Sequence, residues 1–131
     1  MTTLTRFSMA FFAFLLLSFT IPTQQHPVLN MEDILWKNET IDLGEIPHNK
    51  PVEVVFTFTN NGNEAILIDQ VITSCGCTVA KYPLAPVLPG ASAEITATYN
   101  AATLGIFNKS ITVNLADKTT KQLFIKGTVI D

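Results

Sequence analysis

Two cysteines separated by one glycine stand in the stretch "TSCGCT", residues 73–78 of a 131-residue chain that has no other cysteine. Sulfur at that spacing supports three kinds of chemistry. Cys75 and Cys77 can close a local disulfide, exchange thiols with another protein, or, when reduced, offer two thiolates to a soft ion such as Cu(I). In a regular strand the two side chains share a face, with β-carbons further apart than the roughly 3.5–4.5 Å a bridge wants. Closure therefore needs a bend, and Gly76 is the residue expected to permit it. A ring closed over one residue restricts the unfolded chain little, so it contributes little stability and is easier to reduce than a long-range bridge. Tyr82 follows in "CTVAKYP", where Pro83 and Pro86 cannot donate to a strand ladder, and is expected at the surface beside the pair.

The other reactive residue types form no constellation. His26 and His48 are far from each other and from the cysteines in sequence, and four-ligand zinc spacing is absent. No nucleophile elbow, zincin helix, phosphate loop or dinucleotide motif occurs. Glu53, Asp69 and Glu94 fall on polar strand faces or in turns, as solvated carboxylates do. No enzyme activity, metal or cofactor is expected. A formal net charge of −3 with no run of lysine or arginine argues against nucleic acid or an anionic membrane surface as partner, leaving a protein partner of open identity.

What must position these residues begins with a leader. Arg6 precedes an apolar run over residues 7–19, and Pro22, Thr23, Gln24 and Gln25 end it, the pattern of a signal peptide over residues 1–23. The run is short for a membrane span, so cleavage is expected rather than retention as an anchor, with residues 24–33 as a linker. No cysteine lies near the end of the run for lipid attachment. The destination is therefore secreted or periplasmic, where a disulfide is the default state of paired cysteines.

From residue 34 to 131 the pattern alternates with the period of strands. "VEVVFTFT" puts Val52, Val54, Phe56 and Phe58 on one face. "ASAEITATY" does so with Ala93, Ile95, Ala97 and Tyr99, "KSITVNL" with Ile111, Val113 and Leu115, and "QLFIKGTVI" with Leu123, Ile125 and Val129. "AILIDQVI" sets Ile66, Ile68 and Ile72 against Leu67 and Val71, and "DILWKNETIDLG" supplies one opening strand. Trp36 and Tyr99 read as core or rim residues. "NNGN" at residues 60–63 is expected to close a hairpin between the Val52 and Ile66 strands, and Pro89-Gly90 suits a type II turn. Six or seven strands without helices imply an all-β, immunoglobulin-like antiparallel β-sandwich of about seven strands.

The "IDLGEI" opening, the "FTNNG" turn, "SCGCT", the "PG" turn before "ASAEI", "GIFNKSITV" and "LFIKGTV" resemble a bacterial secreted family of unknown function. Its fold is similar to Hydin-type and major-sperm-protein-like immunoglobulin domains. The resemblance spans residues 41–130 and implies a sandwich fold, export and no established catalysis. Function is thus expected to be that of a non-catalytic structural or protein-interaction module of the cell envelope. Redox exchange or copper binding through Cys75 and Cys77 is the alternative.

Overall fold

The structure is a computed structural model and describes residues 31–131. The expected leader and most of the expected linker, with His26, lie outside the described residues. A 3-10 turn, Met31–Asp33, leads into β1 (Ile34–Trp36), β2 (Thr40–Pro47), β3 (Val52–Asn60), β4 (Ile68–Thr73), β5 (Thr78–Lys81), β6 (Ser92–Tyr99), β7 (Gly105–Leu115) and β8 (Thr120–Ile130). These eight strands form two four-stranded sheets, ordered β1-β3-β6-β5 and β2-β8-β7-β4. Pairing is antiparallel except between β2 and β8, which run parallel. Five connections change sheet (β1–β2, β2–β3, β3–β4, β4–β5 and β6–β7), so the chain laces the two layers together.

The alternation determines the core, because successive side chains on a strand point to opposite faces. Val54, Phe56 and Phe58 of β3 and Ile95, Ala97 and Tyr99 of β6 meet Ile111, Val113 and Leu115 of β7 and Leu123, Ile125 and Val129 of β8, all buried. A fully buried side chain of this size contributes about 1.5–3 kcal/mol through the area it removes from water. Trp36 lies half-buried against Phe58, with ring centroids 4.9 Å apart.

Four expectations are corrected. The opening segment is two strands in different sheets, since β1 pairs with β3 and β2 with β8. The turn at residues 60–63 closes no hairpin: β3 and β4 also belong to different sheets, and the turn is a crossover. Asn60 causes this. Its buried side chain donates to the carbonyls of Glu64 at 2.7 Å and Val87 at 2.9 Å and accepts from the Gly62 N–H at 3.0 Å, wrapping the chain around itself and onto the β5–β6 loop. Ile66 stands outside β4, in an isolated bridge to Val87. Within β4 a register shift between Ile68 and Gln70 adds one residue, which reverses the faces beyond it: Val71 is half-buried and Ile72 exposed.

The turns behave as their residue types require. Gly90 has φ +79° after Pro89, and the Ala91 N–H donates to the Leu88 carbonyl at 2.9 Å, as in a type II turn.

Candidate functional site

β4 is the last strand of one sheet and β5 the last of the other, so residues 74–77 must carry the chain across the gap between layers, on the order of 10 Å. Hydrogen bonds frame that corner on all sides. The Ser74 N–H donates to the Ser110 carbonyl at 2.9 Å, and the Ser110 N–H donates to Ser74 Oγ at 3.1 Å. Thr73 Oγ1 faces the carbonyls of Cys75 at 3.1 Å and Thr78 at 3.0 Å, pinning the end of β4 to the start of β5. The Asn100 N–H donates to the Cys77 carbonyl at 3.0 Å.

Inside this frame Cys75 and Cys77 form a disulfide, with α-carbons 5.2 Å apart. An extended strand would hold the same two α-carbons at about 6.5–7 Å, so the chain is drawn in at the corner. Both cysteines are half-buried, and Cys77 packs against the core. Thr78 is buried beneath them, its Oγ1 3.8 Å from Cys75 Sγ. A disulfide sulfur carries no hydrogen, so in this contact the hydroxyl is the donor.

Gly76 and Tyr82 differ from expectation. Gly76 takes no left-handed backbone angle, and a β-carbon there would meet nothing within 4 Å, so the bend needs no glycine. The four residues of β5 pair regularly with β6, because the prolines interrupt the ladder only after Lys81. Tyr82 is not simply at the surface; it is half-buried and packs against the core.

His48 lies half-buried in the β2–β3 turn, with Nε2 3.3 Å from the Ala102 carbonyl oxygen and Nδ1 3.9 Å from Asp131. Among the described residues no three His, Cys, Asp or Glu side chains are grouped to hold a metal ion. The cysteine pair, reduced, would offer two soft ligands.

A second feature was not anticipated from the sequence. On the outer face of the β2-β8-β7-β4 sheet lies an open cleft of about 400 Å³, lined by Asp42, Gly44, Ile106, Asn108, Lys126 and Thr128 among others. It exists because β2 bulges between Asp42 and Glu45, where Gly44 has φ +62°. The Gly44 N–H donates to Asp42 Oδ1 at 2.9 Å, and this bond, helped by the Lys126 ammonium at 3.5 Å, holds the Asp42 carboxyl below its ordinary range. Ile106 stands 90% exposed at the cleft. Glycines at 44 and 127 inside otherwise alternating strands were the available signal, since an isolated strand glycine marks a bulge or a close backbone approach.

Residues 34–129 match the family described as protein of unknown function DUF1573. The chain belongs to that family. No curated protein matches it. Among solved structures, the PapD-like domain 7 of human CEP192 superposes with a TM-score of 0.64 at 12% identity, covering 83% of this chain and 96% of that one. A protein of unknown function from Porphyromonas gingivalis W83 gives 0.62 at 14% identity over 72% of this chain and 46% of that one. The secreted serine protease VesC from Vibrio cholerae gives 0.61 at 16% identity over 77% of this chain and 24% of that one. This DUF1573 chain thus spans less than half of the Porphyromonas and Vibrio proteins it resembles. At these identities the likeness concerns fold, and the fold is an immunoglobulin-like, PapD-like β-sandwich.

Proposed function

We propose that this protein is an exported, non-catalytic module that binds a protein partner in the cell envelope or outside the cell. The observation that carries the reading is the apolar surface around Ile106. Ile130 is also exposed, and the register that pairs Gly105 with Val129 and Ile106 with Thr128 brings Ile106 and Ile130 to one end of the outer sheet face, with the exposed Leu104 just before the start of β7. Large exposed aliphatic side chains that adjoin one another on one face are what a protein-binding surface presents. An immunoglobulin-like sandwich suits such a role, since its rigid layers hold faces and loops in fixed positions. Export rests on the leader, with Arg6 before the apolar run at residues 7–19.

Cross-linking in intact cells, with the native protein and an Ile106→Asp variant, tests the binding surface. A partner cross-linked to the native protein and lost from the folded variant is expected; equal recovery with both contradicts the assignment. N-terminal sequencing of the exported protein tests the leader, and a mature chain that still begins before residue 20 contradicts cleavage.

A further inference from the structure

We propose that the Cys75–Cys77 disulfide is a thiol–disulfide exchange site whose substrate is a dithiol segment of another protein, with Cys77 Sγ the sulfur attacked and Cys75 Sγ the one that leaves. This goes beyond the binding role above and rests on the corner alone.

Five observations carry it. The bridge spans a single residue, so opening it returns little entropy to the chain, and such bridges are more readily reduced than long-range ones. Neither cysteine is fully buried, although Cys77 has one side against the core. Thr73, Ser74, Ser110 and Asn100 hold the corner through hydrogen bonds that involve neither sulfur, so breaking the bridge leaves the path of the chain in place. The two sulfurs are also unequal. Thr78 Oγ1 lies beside Cys75 Sγ, and a hydroxyl that donates weakly to a disulfide sulfur donates more strongly to the thiolate that forms there. A lower thiol pKa makes a better leaving group. β5 offers an approach as well: it is the outermost strand of its sheet, and an extended peptide can lie along such an edge with its own thiol near Cys77.

The exchange balances without any further reagent. A substrate thiolate attacks Cys77 Sγ; a substrate–Cys77 disulfide forms, the Cys75–Cys77 bond breaks, and its electron pair stays on Cys75 Sγ, which takes a proton from water. The second substrate thiol, deprotonated, then attacks the first substrate sulfur. Cys77 leaves as a thiolate and is protonated in turn. The substrate loses two electrons and two protons and gains a disulfide, while this chain ends as two thiols.

The test mixes the oxidised mature protein with a synthetic reduced peptide containing two cysteines, followed by acid quench, alkylation and mass spectrometry. One disulfide is expected in the peptide for each one lost from the protein, at a rate at least tenfold above that of the isolated cyclic hexapeptide TSCGCT. A probe peptide with one cysteine should be trapped on Cys77. Thr78→Val should slow the exchange at least threefold and raise the pH midpoint for alkylation of Cys75 in the reduced protein, and Thr78→Ser should restore both. A rate equal to that of the hexapeptide, trapping on Cys75, or a bridge that survives the peptide overturns the proposal. The trapping experiment uses the unaltered protein and decides the matter even if the Thr78 variants fail to fold.

Discussion

Gly127 of β8 lies so close to Phe107 of β7 that a β-carbon on the glycine would stand 2.9 Å from the phenyl ring and 2.7 Å from the Gly44 carbonyl oxygen. The ring has little room to withdraw, because it is buried and stacked on Tyr99 with centroids 4.3 Å apart. The bulge in β2 therefore depends on a missing side chain in β8, the strand paired with it. Gly127→Ala should lower stability by about 1–3 kcal/mol, the usual cost of overpacking. Urea unfolding checks this, and a loss below about 0.5 kcal/mol would show that β2 moves aside freely.

Asn60 provides the second prediction. Its side chain makes three hydrogen bonds that direct the β3–β4 crossover. At about 0.5–1.5 kcal/mol net for each bond, Asn60→Ala should cost about 2–4 kcal/mol. Asn60→Asp should cost at least as much at neutral pH, because it turns a carboxylate toward two carbonyl oxygens. Denaturant midpoints decide it; near-native stability for either variant would mean the crossover is held by its backbone alone.

Asp42 gives a dependence on pH. Its carboxyl is held below the ordinary range, first by the Gly44 N–H and then by Lys126, so the folded state favours the ionised form. That preference stabilises the protein above the pKa of the unfolded carboxyl and is lost as pH falls through the lower, folded one. The native protein should therefore exceed Asp42→Asn in stability by a small constant amount near neutrality, and the gap should close in acid. A gap that widens as pH falls would contradict the sign.

The faces of the strands were legible because period-two alternation is a local property: Val54, Phe56 and Phe58, and Ile111 and Val113, are buried as their spacing predicts. Sheet membership was not. Whether residues 60–63 turn a hairpin or cross between layers depends on what Asn60 finds to bond with, and one of its acceptors, Val87, is 27 residues away. Bulges escaped for a related reason. One extra residue at Asp69 turns Ile72 outward, and nothing in the spacing of the isoleucines announces it. Of the corner, the cysteines themselves were legible and their setting was not, since Thr73, Thr78 and Ser110 converge only once two edge strands from different sheets end beside each other.

As a chemical site mounted on the sandwich, Cys75 and Cys77 are not needed for the fold itself. A thermal melt of the double variant Cys75→Ser, Cys77→Ser against the oxidised native protein tests it most directly. Because a bridge over one residue constrains the unfolded chain little, the double variant should show a single cooperative transition, with stability lower by on the order of 1 kcal/mol and a midpoint lower by roughly 4–8 °C. Loss of the cooperative transition would contradict it and make the disulfide a determinant of the fold.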